Sequence, residues 1–511
     1  MTANDQSTDW HRISPVSVVF FLFRTVREVA FNSLPAIIVL FAFLASGGPG
    51  RKAMVGGLLG LALVAAVGFS VLHWLRFRFR VSPDRVLVRS GVIQREELEI
   101  DFGRIQNVSI REPFYMRPFG LAILGIDTAG SSQKEIQLGG IEKRLALGLK
   151  ETFLKTGRSE SAGWAQEGEG TNSEPALLTR DTRDIVIYGL TVNFLLWVLI
   201  ALGLLFGGGE NTEPMLTWLA EKVQIEQLVA SLEGIGPTGL SLLAVGTVVA
   251  TLAFLSLLSV LGALYRYHGY HLTRQGETYT RRSGILTRHE ESIKQHKIQA
   301  VVMKQNPVGR AFGRYNMQLR VASAGEASEG SPSPAGARSA FVVPALRPAE
   351  AAAFCSEFLP GCELAAAQFT RSDRVRLTRV ITLWAAVIAL LPALVPGLLV
   401  DVKFFAILPL MVLSAWLLSR FYWRRSGFAV VGEHGFVRRG VFGTGTTAFP
   451  LFKIQRIDIR QTPGLRRRGL ATLFIHLASH SLTVRYVNAG DARRFRDLAV
   501  YYAESCARPW Y

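Results

Sequence analysis

Several residue groups in this chain imitate catalytic or metal sites, and each fails on spacing or context. His289-Glu290 begins like a zinc-protease helix, in which two His four residues apart hold zinc and the Glu acts as base. The next histidine is His296, so that spacing is absent. His268 and His271 lie three apart in a stretch that reads as a strand, which sets them on opposite faces. Gly443-Thr444-Gly445-Thr446-Thr447-Ala448 imitates a dinucleotide-binding loop, but it joins two strand-like runs and reads as a hairpin turn. Neither a Walker A sequence nor a G-x-S-x-G elbow occurs. Cys355, Cys362 and Cys506 fit neither a disulfide framework nor a C-x-x-C site, and they suit a reducing compartment. The sequence predicts no enzyme, no metal and no cofactor.

Cations are the more promising groups. The triplets Arg104-Ile105-Gln106, Lys297-Ile298-Gln299 and Lys453-Ile454-Gln455 are followed by Arg117, Arg310 and Arg466-Arg467-Arg468. Two readings fit. In one, Ile105, Ile298 and Ile454 are core residues of a strand and each Gln bonds a neighbouring loop. In the other, these cations and glutamines share a basic face that attracts anionic headgroups, at ~1 kcal/mol per cation near a membrane. Gly464-Leu465-Arg466-Arg467-Arg468-Gly469 is the sharpest basic cluster. Charge beside a membrane is explained by orientation and lipid contact, so no nucleic-acid partner is expected.

The triplets belong to a longer pattern that must be positioned by a repeated element. It reads Ser90-Gly91-Val92-Ile93 … Arg117-Pro118-Phe119-Gly120, then Ser283-Gly284-Ile285-Leu286 … Arg310-Ala311-Phe312-Gly313, then Arg439-Gly440-Val441-Phe442 … Arg466-Arg467-Arg468-Gly469. From the first Gly to the Gln is 15 residues in every copy, and from the Gln to the last Gly is 14. Such periodicity sets the architecture before single residues are read. Gly91, Gly120, Gly284, Gly313, Gly440 and Gly469 read as turns that need positive φ or close packing.

Each copy follows strongly apolar sequence. The 511 residues are 49% hydrophobic, with mean hydropathy +0.26 beside a net charge of +18. Candidate spans are 29–46, 54–75, 185–206, 238–264, 379–397 and 403–420, each near the ~20 residues that cross a bilayer. Residues 13–28 read as an interfacial helix, and no cleavable signal peptide is visible. Arginines gather at the ends facing the repeats, whereas the opposite loop 207–237 is acidic. The positive-inside rule then places both termini and all three repeats in the cytoplasm. Within the spans Asn32 and Asn193 are among few polar groups, and no acid–base pair relays protons, so a secondary transporter is not expected.

Each copy also starts with period-2 strands, as in Arg76-Phe77-Arg78-Phe79-Arg80-Val81, and ends in helix-like tails at 141–155, 347–358 and 489–505. Short antiparallel strands closed by one C-terminal helix describe a small barrel or sandwich. The expected class is an α+β membrane protein with six transmembrane helices in three hairpins. The expected boundaries are 1–75 for the N-terminal segment and first hairpin, 76–156 for the first module and 157–184 for a linker. The second hairpin takes 185–264, the second module 265–360, the third hairpin with its linker 361–420, and the third module 421–511.

The strand-turn-SG(V/I)-strand, (K/R)IQ and R-x-x-G pattern after a membrane hairpin resembles the bacterial Pleckstrin-homology-like (PH domain) membrane proteins of the YdbT-like type, with three domains in one chain. The resemblance covers nearly the whole chain, from Trp10-His11-Arg12-Ile13-Ser14-Pro15 to the last helix. Departures are Arg439 in place of Ser, Arg314 in place of Leu after the last Gly of copy two, and a Ser/Gly/Pro/Ala-rich insert at 323–339. The resemblance implies a PH fold, a non-enzymatic membrane role and a protein partner such as a smaller one-domain relative; it does not by itself imply phosphoinositide binding. It also implies a link to envelope stress or antimicrobial-peptide tolerance. The other expectation is a protein that binds or moves anionic membrane lipids.

Overall fold

A computed structural model describes residues 10–15, 17–22, 25, 49–82, 85–91, 95–102, 105–128, 136–156, 176–192, 237–322, 341–399 and 405–506. The expected span 29–46, most of 185–206 and the insert 323–339 lie outside these residues.

The first module comprises β1 (His11–Arg12), α1 (Pro49–Arg76), β2 (Arg78–Val81), β3 (Arg85–Ser90), β4 (Glu96–Asp101), β5 (Ile105–Glu112), β6 (Leu121–Thr128), β7 (Ile136–Glu142) and α2 (Lys143–Thr156). The second comprises β8 (Leu178–Thr179), α3 (Thr182–Thr191), α4 (Pro237–Tyr267), β9 (His271–Gln275), β10 (Thr278–Ser283), β11 (Arg288–Lys294), β12 (Ile298–Gln305), β13 (Tyr315–Val321), β14 (Phe341–Leu346) and α5 (Pro348–Phe358). The third comprises α6 (Arg374–Leu399), α7 (Ile407–Arg425), β15 (Gly427–Val431), β16 (His434–Arg439), β17 (Thr444–Pro450), β18 (Ile454–Arg460), β19 (Leu470–Leu477), β20 (Ser481–Asn488) and α8 (Ala489–Ser505).

Every module wraps two antiparallel sheets and a helix around one core. In the first, alternation buries Phe77 and Phe79 and leaves Arg78 exposed. Phe79, Val86, Val88 and Ile100 of the early strands meet Val108, Ile110, Leu124, Ile126 and Leu138 of the later ones. Ala146, Leu149 and Phe153 of α2 close that core at helical spacing. Ala492, Phe495 and Ala499 of α8 do the same in the third module.

The sheets do not respect the modules. Their strand orders are β1-β2-β3-β4, then β7-β6-β5-β11-β10-β9-β8, then β14-β13-β12-β17-β16-β15, then β18-β19-β20. The later strands of one module therefore continue into the early strands of the next.

Short antiparallel pairings upstream of each module's main strands were not expected from sequence. Leu178–Thr179, inside the expected linker 157–184, pairs with β9, and Thr370 bridges Phe428. In module one, His11 and Arg12 pair with Phe79 and Arg78. Trp74 Nε1 on α1 donates to the Ile13 and Ser14 carbonyls at 3.1 Å, and Trp423 on α7 donates to Ser372 O at 2.8 Å. In modules one and three these hydrogen bonds tie the short segment to the end of a helix. In the second module α4 runs on to Tyr267, so of the strand-like stretch around His268 and His271 only the part from His271 onward is strand. Gly269, at φ 62, makes the turn between them.

The expected spans 54–75, 238–264, 379–397 and 403–420 fall on α1, α4, α6 and α7. Among the described residues, one stretch, Val249–Tyr267, is long and apolar enough by length and composition to cross a membrane.

All six motif glycines have positive φ. Their surroundings divide them. A Cβ on Gly284 would sit 2.1 Å from the Thr287 carbonyl oxygen, whereas one on Gly313 would meet nothing within 4 Å. Gly284→Ala should therefore destabilise by about 2–4 kcal/mol and Gly313→Ala by about 1 kcal/mol. Thermal unfolding of the detergent-solubilised chain measures both. Equal losses would mean that backbone conformation alone, and not close approach, selects glycine at Gly284.

Candidate functional site

The motif strands meet at two seams between modules. At the first, β5 lies antiparallel to β11, with Val108 opposite Ser292 and Ile110 opposite Glu290. At the second, β12 lies antiparallel to β17, with Val301 opposite Ala448 and Met303 opposite Thr446.

Charge locks the first seam. Lys150, on α2 of module one, reaches across to the Glu290 carboxylate, which Arg282 Nε also holds at 2.8 Å. Burial works to raise the Glu290 pKa, but the Lys150 and Arg282 charges outweigh it and hold the carboxyl below its usual value. Glu291 makes a separate pair with Arg281, 2.7 Å away, both side chains buried. Arg281 also donates to Val342 O at 3.1 Å. Burial, with the Arg111 and Arg266 charges, pushes His289 down to about 4, so it is neutral at pH 7. The His289-Glu290 dipeptide is thus seam structure. Arg117 Nη2 completes the contact by donating to Ile285 O at 3.0 Å.

The second seam is more apolar. Ala429, Phe436 and Ala448 of module three join the core of module two, and Ala300 of module two joins the core of module three. A Cβ on Gly443 would lie 2.4 Å from Gln305 O, so the two backbones approach as closely as glycine allows. The expected turn at 443–448 is confined to its start, because Thr444 onward is strand β17. Lys453 is the seam's buried cation. Its Nζ donates to His296 O and, at 2.7 Å, to Ile298 O. Burial, reinforced by the Lys297 charge, lowers its pKa to about 8.

The motif residues separate accordingly. Ile105, Ile298 and Ile454 are buried in their cores. Lys297 and Lys453, expected on an open basic face, are only 7% and 5% exposed. Pairing with module two covers Lys453, and Lys297 is buried beside it, so among the described residues no common basic face runs through the triplets. Arg104 and the side chain of Gln106 lie outside the described residues; Gln299 is buried and Gln455 exposed. Arg117 is half-buried, while Arg310, Arg466, Arg467 and Arg468 are exposed around the short helical turns Pro307–Ala311 and Pro463–Arg466.

Sequence reading missed the seams, although their signal is visible. Ile298-Gln299-Ala300-Val301-Val302-Met303 is nearly continuous apolar sequence, the mark of a strand buried on both faces. The reading also missed that Cys355 and Cys362 touch, with sulfurs 3.0 Å apart in a buried pocket of module two. Among the described residues no cluster of three His, Cys, Asp or Glu forms a metal site.

The bacterial PH domain family matches this chain three times, at residues 25–155, 227–357 and 377–502. The UPF0699 transmembrane protein YdbT of Bacillus subtilis (strain 168) is 22% identical over 325 residues. That match covers 62% of this chain and 63% of the relative, less than two thirds of its length. No solved structure matches.

Lys453 gives the second seam a defined pH response. Below pH 8 its ammonium is buried at a cost. Between about 8 and the unfolded value near 10.5, the folded chain has released a proton that the unfolded chain keeps, so stability rises with pH across this window. The gain is on the order of 3 kcal/mol when complete. Unfolding followed from pH 7.5 to 9.5 should show the wild type gaining on Lys453→Met as pH rises. Parallel curves would show that Lys453 titrates normally.

Proposed function

The chain belongs to the bacterial PH domain family, and from that premise we propose that it is an integral membrane scaffold for protein assembly. Its PH domains would stand on the cytosolic face as one continuous arch, held by six spans in three hairpins. The observation that carries this reading is the pair of seams. Strand pairing at both seams, with shared cores at the second, joins the three domains into a single surface that can present equivalent edges to a partner.

Membrane insertion is supported by large apolar side chains facing outward from the long helices. Leu61 and Val64 on α1, Leu242 on α4, Leu383 and Trp384 on α6, and Leu410 on α7 are all more than 60% exposed. Such surfaces on helices of this length call for lipid. The name of the Bacillus subtilis relative, a transmembrane protein, supports the same reading. The partner would be a membrane protein, such as a smaller PH-domain relative whose strand edges would pair in the same way, and the assembly would act in envelope stress or antimicrobial-peptide tolerance.

One observation favours a second reading, an anionic-lipid-handling protein. Tyr422 near the end of α7 shares a shallow cleft with Arg438, Arg439 and Arg485, beside the height at which headgroups would lie.

Extraction of the tagged chain with its native lipid patch, followed by mass spectrometry, tests both. A membrane protein at stoichiometric amount is expected, and it should remain when Arg438, Arg439 and Arg485 of the cleft are all changed to Gln. One enriched anionic lipid that is lost from the triple variant, with no protein partner, would replace assembly with lipid handling.

A further inference from the structure

Both seams use one register. Val108 and Val301 each lie two residues after a motif Gln, and their partners Ser292 and Ala448 each lie eight residues after a motif Gly. The pattern leaves two strands at sheet edges among the described residues. They are β18, the third copy of the donating strand, and β4, the first copy of the accepting one. Applying the register to these two places Ile457 opposite Glu99, Asp458 opposite Leu98, Ile459 opposite Glu97 and Arg460 opposite Glu96.

The chemistry of the two edges is complementary. β4 carries Glu96, Glu97, Glu99 and Asp101 with no base, whereas β18 carries exposed Arg456 and Arg460 with a single acid, Asp458, which Arg456 Nε holds at 2.9 Å. The Lys150 lock also has its counterparts. Lys143 N–H donates to Gly120 O and Ala489 N–H to Gly469 O, which sets α2 and α8 in the same phase. Seven residues along each helix stand Lys150 and Arg496. Glu97 and Glu290 each lie six residues after a motif Gly, and each is held by an Arg of the preceding strand: Arg89 at 2.9 Å and Arg282 at 2.8 Å. Glu290 has Lys150 as its second cation. Arg496 is exposed and rests on its neighbour Asp497 at 2.7 Å.

We propose that β18 accepts β4 of a second copy of this chain, head to tail, with Arg496 reaching Glu97 of the partner copy as Lys150 reaches Glu290. The interface continues the seams already present within the chain and rests on the assembly reading above. Being heterologous, it closes into a ring or extends as a row. Anchoring in one membrane keeps both edges at the same height, which raises their effective concentration. The opposite charges admit this pairing and disfavour β4 against β4.

The test uses the full chain in native membranes, with Cys506→Ser as background. Arg460→Cys on one tagged copy and Glu96→Cys on a second, differently tagged copy are joined by a short bifunctional thiol reagent. A product carrying both tags is expected. Glu97→Cys in place of Glu96→Cys moves the thiol to the other face of the strand and should lower the yield at least about threefold. Arg496→Glu in the Arg460→Cys copy should weaken the Arg460–Glu96 cross-link about threefold, the scale of a partly exposed ion pair, and Glu97→Arg in the Glu96→Cys copy should restore it. Capture of a different membrane protein at Arg460→Cys, with no two-tag product, overturns the second-copy inference and leaves the assembly reading intact. Cross-linking to no protein, with native patches holding lipid alone, overturns both.

Discussion

Backbone pairing between the edge of one module and the edge of the next is the interaction on which the rest of this structure depends. A small domain of two sheets exposes strand edges, each a row of unpaired N–H and C=O groups that invites uncontrolled association. Here β5 with β11 and β12 with β17 use those edges to join the modules. The orientation of one core relative to the next then follows from the twist and register of a shared sheet, not from a flexible linker. That is why Phe436, in module three, can help fill the core of module two.

Shared sheets need register control, because a slip of one residue turns every side chain to the wrong face. Two kinds of buried polar group supply it. At the first seam, adjacent acids point to opposite faces, Glu290 to Lys150 and Glu291 to Arg281, so a slip would strand two charges at once. At the second, the Lys453 ammonium bonds two carbonyls of module two. The close approach at Gly443 leaves no room for a side chain on that backbone. Neither device is strongly stabilising, since buried ions are desolvated at a cost; their contribution is specificity.

Much of this architecture was legible in the sequence because its signals are local. The glycine spacing marked turns, period-2 runs marked strands, and apolar spacing marked the tail helices, which lie within a few residues of their expected positions. The seams were not legible by the same means. Periodicity reports that a strand has an inner face and says little about which strand lies beside it. The triplet lysines illustrate the difficulty. A cation before a core Ile, close to a membrane, has the same sequence whether it faces headgroups or a neighbouring module's carbonyls. Burial of Lys453 is a consequence of pairing between modules, and only the tertiary structure decides it.

The differences among the three copies then acquire a physical cause. In β12, whose two neighbours are β13 and β17, the motif continues as Ala300-Val301-Val302-Met303, without charge. In β18, with β19 on one side, the equivalent residues are Arg456-Ile457-Asp458-Ile459, alternating as a half-buried strand does. Strand β4, at the other end of the array, has four acids in six residues, where β17 has none. A repeat array needs polar terminal faces for solubility, but any mixture of charges would meet that need. Acid alone at one end and two arginines to one aspartate at the other, on strands whose internal counterparts pair in one register, is the arrangement expected of two faces made for each other.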